Sequence, residues 1–291
     1  MTTTERPVII EAAINGATRR TTQPAVPITP AEIAVDALAC FNAGASIVHH
    51  HVEIGGGIKA EVAQYLDTWR IILGARPDAL VYPTVHFGPP ISYEHLAPLA
   101  ESGLLRIGIT DPGSVNLGRV DHRGVPTGSF VYANPFDAIG RSFELCNTHR
   151  LGTSMAIYEP GFLRTALAWR RAGLMPAGAM FKFYFATDRG YSGAPFGLPP
   201  TERALDVYLD ILGDCDLPWF VSLVGGDVVR HEIAEFALAR GGHLHVGLEF
   251  YGGERQPTNV ELVGEAIDLC HRNGLGVATT SQAAALLGLP S

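Results

Sequence analysis

Short runs of β-branched and aromatic residues alternate with stretches that are apolar at helical spacing, from one end of the chain to the other. Eight runs read as strands: VIIEAAI (8–14), SIVHHHV (46–52), ALVYPTV (79–85), LLRIGIT (104–110), TSMAIYE (153–159), MFKFYFA (180–186), WFVSLVG (219–225) and HLHVGLE (243–249). The stretches between them read as helices. In TPAEIAVDALACFNAG (29–44), Thr29 is placed as N-cap, Pro30 at the first helical position and Gly44 as the stop. TERALDVYLDILG (201–213), HEIAEFALARGG (231–242) and NVELVGEAIDLCHRNG (259–274) repeat the apolar spacing, and several such stretches close on glycine. Eight strand–helix units, with no composition break or linker, predict one (β/α)8 TIM barrel over residues 1–291. A doubly wound α/β sheet is the competing fold, but AAINGATRR after the first strand lacks its G-x-G-x-x-G turn.

A barrel of this kind carries its chemistry at the C-terminal ends of its strands. Side chains alternate along a strand, so in SIVHHHV His49 and His51 share a face and His50 points away. Two imidazoles so placed can meet one metal ion; the other reading is a hydrogen-bonded polar strand end. In GGHLHVGLEF the same parity unites His243, His245, Gly247 and Glu249. Closing the barrel places the eighth strand beside the first, so His49, His51 and Glu249 would form a two-histidine, one-carboxylate set. Catalytic zinc commonly uses such a set, with non-haem iron(II) the competing ion. Lys182 in MFKFYFA shares parity with Tyr184 and reads either as a Schiff-base lysine or, preferred, as a salt-bridged wall residue.

Composition narrows the partners. A net charge of −8 and the lack of any Lys/Arg-rich run argue against nucleic acid. MTTTERPVII has no basic segment followed by a signal-length apolar core, and no apolar run spans a bilayer, so a soluble cytoplasmic protein is expected without a membrane partner. Cys40, Cys146, Cys215 and Cys270 are widely spaced, with no C-x-x-C, and read as reduced thiols.

Several segments then resemble one family, the β-keto acid cleavage enzymes typified by the 3-keto-5-aminohexanoate cleavage enzyme. They are AAINGA (12–17), PITPAEIA (27–34), AGASIVHHHV (43–52), GSVNLG (113–118), GGHLHVGLE (241–249), TNVELV (258–263) and VATTSQAAALLGL (277–289), together running over nearly the whole chain. The resemblance implies a (β/α)8 barrel binding one Zn2+ through His49, His51 and Glu249, and a homo-oligomer. It also implies a reversible Claisen-type exchange in which a β-keto acid and acetyl-CoA become acetoacetate and a new acyl-CoA.

Other positions depart from the family pattern. Phe250 stands where an acid–base Asp follows the metal-binding Glu, His245 where an Arg pairs with the substrate carboxylate, and Thr18 where an early carboxylate is expected. Glu53 replaces the Arg after the H-x-H, Thr84 keeps the hydroxyl of the third-strand motif, and the fourth-strand Thr falls at Ile109 or Thr110. The candidates for the displaced catalytic roles are Thr84, His86, His245 and Asp111. Arg19, Arg20, Arg106 and Arg255 are candidate carboxylate anchors, because guanidinium pairs bidentately with carboxylate. Ser114 in GSVNLG is a candidate for holding substrate or CoA. A zinc-dependent C–C lyase or hydrolase of a carbonyl compound, not using acetyl-CoA, is the alternative activity. Residues 188–200 read as a lid and 120–129 as a hairpin or interface arm.

Overall fold

The computed structural model describes residues 6–88, 90–190 and 193–290; the N-terminal residues 1–5 and Tyr191 and Ser192 of the expected lid lie outside that set. In chain order the elements are β1 (Ile10–Ala13), α1 (Pro30–Ala43), β2 (Ile47–His49), α2 (Ile58–Ala75), β3 (Val81–Tyr82), α3 (Leu96–Glu101) and β4 (Ile107–Ile109). An excursion holds β5 (Val115–Asn116), β6 (Arg119–Val120), β7 (Pro126–Thr127) and β8 (Val131–Tyr132). There follow α4 (Phe136–Thr148), β9 (Gly152–Ile157), α5 (Pro160–Arg171), β10 (Ala179–Ala186), α6 (Glu202–Leu212), β11 (Trp219–Val224), α7 (Glu232–Ala239), β12 (His243–Val246), α8 (Asn259–Arg272) and α9 (Thr280–Leu287).

Eight strands pair in parallel in the order β3-β2-β1-β12-β11-β10-β9-β4, a nearly closed barrel with helices between successive strands. Every residue of these strands is buried, as expected when side chains on one face fill the barrel and those on the other meet helices. The register seats Ala13 of β1 opposite His49 of β2, and Glu11 opposite His245 of β12. That lateral order brings residues nearly two hundred positions apart to one mouth.

Local signals act as the pattern predicts. Thr29 caps α1 in a capping box with Glu32, and Pro30 opens the helix. The expected hairpin is present as β6 against β7, with β5 and β8 forming a second antiparallel pair. Cys40, Cys146, Cys215 and Cys270 are all free thiols. No helix among the described residues is long and apolar enough to cross a membrane.

The expected strand 243–249 is shortened. β12 stops at Val246 because Gly247 turns with φ 121°, where a Cβ would stand 2.2 Å from the Ala13 carbonyl oxygen. Glu249 therefore sits in the following loop. Its place comes from its backbone N–H, which donates to Ala13 O at 3.0 Å, rather than from strand parity.

Candidate metal centre and the cavity above it

His49 ends β2, and His51, two residues beyond the end of the strand, meets Glu249 on the same side. His50 faces outward as parity requires: Trp69 on α2 donates its indole N–H to His50 Nε2 at 2.8 Å. Burial brings the His50 ring to a pKa of about 4, which keeps it a neutral acceptor. Asn15, after β1, fastens the other histidine, accepting the His51 N–H at 2.8 Å and donating to His51 O at 3.1 Å. Gly16 (φ 57°) lets the chain pass over Glu249, since a Cβ there would lie 2.4 Å from the Glu249 Cγ.

His49 Nε2 lies 3.4 Å from Glu249 Oε2, and His51 Nε2 3.1 Å from Glu249 Oε1. Each of the three residues offers one ligand atom, and these atoms fall within 4.8 Å of one another. His51 Nε2 and Glu249 Oε2 are buried without a hydrogen-bond partner in the structure, the condition of atoms arranged for a cation. Burial, reinforced by the charge of Lys182, pushes the His49 pKa well down, leaving a neutral ring with a lone pair to give. Burial opposes ionisation of Glu249, yet His51, His245 and Lys182 outweigh it and hold the carboxyl below its ordinary value. Two imidazoles and one carboxylate suit zinc or iron(II).

Beneath this set lies a buried polar network that the strand patterns did not reveal. Glu11 is fully buried on β1 and accepts the phenol of Tyr82. Lys182 donates to Tyr82 Oη at 2.5 Å and to Glu11 Oε1 at 3.3 Å, and Ser154 donates to the same phenol at 3.2 Å. His245 Nε2 stands 3.3 Å from Glu11 Oε1, while its Nδ1 bonds Ser222 Oγ at 2.9 Å. Burial alone would raise the Glu11 pKa; Lys182 first, then His245 and Tyr82, bring it to about 2. Lys182 is thus a salt-bridged residue inside the barrel, the preferred of its two readings. A lone Glu in an apolar strand, VIIEAAI, was the available sequence signal for the network.

A cavity of about 700 Å³ opens over the His49–His51–Glu249 set at the C-terminal ends of the strands. Its lining includes His49, His51, Glu249, Lys182, Thr84, Asp111, Arg19 and Arg20, so these expected residues share one site. Asp111 accepts from Tyr132 Oη and from the Ala156 N–H (3.1 Å), and burial, the dominant influence, raises its pKa. Arg20 at the mouth pairs with Glu32 at 2.7 Å, and Thr18 lines the cavity while donating to Leu248 O at 2.7 Å. Ile109, not Thr110, faces the cavity; the Thr110 hydroxyl meets Ser142 on α4 at 2.7 Å. Phe250 also lines it, held at φ 61°.

Five other expected residues lie elsewhere. His86 is drawn aside by Glu61 of α2, 2.7 Å away. His245 is committed to Glu11 and Ser222 below the cavity floor. Arg106 is exposed at the start of β4, the opposite end of the barrel from the mouth. Arg255 is bound by Asp227 at 2.9 Å and Glu265 at 2.6 Å, outside the cavity lining. Ser114 is exposed and accepts the Asn134 N–H at 2.9 Å. Of the expected lid, Phe196 reaches the cavity lining.

A family model described as beta-keto acid cleavage enzyme matches residues 7–289. The chain is 28% identical to a 3-oxoadipate:acetyl-CoA acetyltransferase of Cupriavidus necator over 98% of this chain and 96% of that one. It is 25% identical to a 3-keto-5-aminohexanoate cleavage enzyme of Fusobacterium nucleatum, over 97% and 98%. Among solved structures, apo ObcA superposes with a TM-score of 0.68 at 15% identity, covering 91% of this chain and 66% of ObcA, a likeness of fold alone.

Proposed function

The chain belongs to the beta-keto acid cleavage enzyme family, and we propose that it exchanges the acyl group of a β-keto acid with acetyl-CoA, yielding acetoacetate and a new acyl-CoA. The balance is R–CO–CH2–COO⁻ plus acetyl-CoA giving acetoacetate plus R–CO–SCoA. The observation that carries this reading is the His49–His51–Glu249 set, two of its residues buried and one half-buried, at the floor of the cavity. We assign it to Zn2+, which when bound supplies a Lewis acid for the charge developing on the keto oxygen.

The remaining roles fall to the chain's own side chains. The exchange needs a cation for the substrate carboxylate, a role for which Arg106 and Arg255 are out of reach. Lys182 lines the floor; an ammonium has three donors, and Tyr82 and Glu11 take two. The third is assigned to the substrate carboxylate. A proton must also leave and rejoin the carbon between keto group and carboxylate. Asp111, its pKa raised by burial, is assigned that transfer in place of the family Asp that Phe250 displaces. Thr84 supplies a hydroxyl on the same lining, and Arg19 a charge at the mouth for the phosphates of CoA.

The test combines metal analysis with product detection. Wild type should hold one zinc per chain and form acyl-CoA only when both β-keto acid and acetyl-CoA are supplied. His49→Ala and Glu249→Ala should each lose bound metal and activity together. Metal content unchanged in both variants would refute the centre. Consumption of keto acid at the same rate without acetyl-CoA would instead favour the lyase or hydrolase reading, to which the loss of an Asp at Phe250 already lends support.

A further inference from the structure

One wall of the cavity is built from rings. Phe87 follows β3, Phe130 and Tyr132 come from the excursion after β4, Tyr158 follows β9, Tyr184 lies on β10 and Phe196 comes from the loop beyond it. Five of these rings touch in succession: Phe87 and Tyr132 have centroids 6.3 Å apart, Tyr132 and Tyr158 5.9 Å, Tyr158 and Tyr184 4.8 Å, and Tyr158 and Phe196 5.7 Å. The wall is therefore a continuous aromatic surface, apolar except for the phenol hydroxyls of Tyr132, Tyr158 and Tyr184.

Charge along the lining is distributed unevenly. His49, His51, Glu249 and Lys182 form the floor, and Arg19, Arg20 and Glu53 belong to the loops after β1 and β2. Beside the aromatic wall the charged lining residue is Asp111, with one oxygen taken by Tyr132 Oη and the other by the Ala156 N–H. A substrate whose keto group and carboxylate are held at the floor extends its acyl chain along this wall. A second carboxylate at the chain's far end would be desolvated against rings and beside Asp111 without a counter-ion. An ammonium would have to compete for Asp111 oxygens already given to Tyr132 and Ala156, whereas an alkyl or aryl group would bury apolar surface.

The geometry points to a β-keto acid whose acyl chain ends in an uncharged apolar group, alkyl or aryl, as the substrate this cavity selects. The inference rests on the exchange reaction above for its chemistry and on the aromatic wall for its specificity.

The zinc-loaded protein is assayed for acyl-CoA formation with two acids of equal backbone length, 3-oxohexanoate and 3-oxoadipate, and with a 3-oxo acid ending in an ammonium group. Binding of each acid is measured separately by titration calorimetry without acetyl-CoA. The expected kcat/KM favours 3-oxohexanoate by at least about tenfold, and lengthening the alkyl chain adds about fourfold per methylene while the wall is being covered. Phe130→Arg, at a position 52% exposed and so tolerant of a charge, should narrow the gap by raising activity with 3-oxoadipate. Equal or better turnover or binding of the carboxylate- or ammonium-ended acid overturns the inference. Absence of turnover with every acid, while calorimetry still ranks the alkyl acid first, removes the exchange reaction and leaves the apolar specificity standing. Absence of any ranking in calorimetry overturns the specificity whatever the turnover.

Discussion

Replacing Lys182 with Met removes the cation bonded to Glu11 while keeping most of the side-chain volume. Glu11 is fully buried and is brought from 4.5 to about 2 with Lys182 the leading attraction, so its carboxyl stays charged in the folded barrel at neutral pH. That displacement of about 2.5 pH units corresponds to roughly 3 kcal/mol in favour of the folded state. The stabilisation is present above the unfolded value of 4.5 and is lost as pH falls from there through about 2. Breaking a buried ion pair by deleting one partner typically costs about 3–5 kcal/mol, which agrees. Lys182→Met should therefore lose about 3 kcal/mol at pH 7, or about 6 °C in Tm at about 2 °C per kcal/mol for a chain of this length. The deficit should shrink to about 1 kcal/mol at pH 3. Denaturant unfolding followed by tryptophan fluorescence reads both values. The double variant Glu11→Gln/Lys182→Met should recover most of the loss, because no unpaired charge remains. A deficit under about 1 kcal/mol at pH 7, or one of equal size at both pH values, would refute the electrostatic account, the second outcome assigning the effect to packing.

Two further predictions follow from other parts of the structure. Gly16→Ala places a Cβ 2.4 Å from Glu249 Cγ on a backbone at φ 57°, so it should displace the carboxylate and, with the set holding zinc as proposed, weaken that binding at least about tenfold, as read by competition with a chelator. His95 is held neutral by burial, with a pKa of about 4, and its Nε2 bonds Thr84 O at 2.7 Å. The unfolded chain takes up that proton first, so stability falls as pH drops from 6.5 towards 4 and levels below it. His95→Gln should relieve about 2 kcal/mol of that loss at pH 5, measured as the difference between the pH profiles of stability.

The strand and helix alternation, the capping of α1 by Thr29 and Pro30, and the opposite facing of His50 and His51 were all legible in the sequence. Each depends on residues near one another in the chain and on the fixed periods of strand and helix. The pairing of His49 and His51 with Glu249 was legible as well, once barrel closure was assumed. Parity, however, placed Glu249 on a strand that ends three residues before it, at Val246. The assignment of partners to charged side chains depended on the tertiary structure. Arg255 looked as available as Arg19, and His86 as Asp111, because a sequence does not say which acid stands beside which base. Folding gave Arg255 to Asp227 and Glu265, and His86 to Glu61, and it buried Glu11 with Lys182 and His245 from strands far apart in the chain. Short-range periodicity is written into the covalent chain, whereas the lateral order of eight strands and the desolvation of a charge exist only once the barrel has closed.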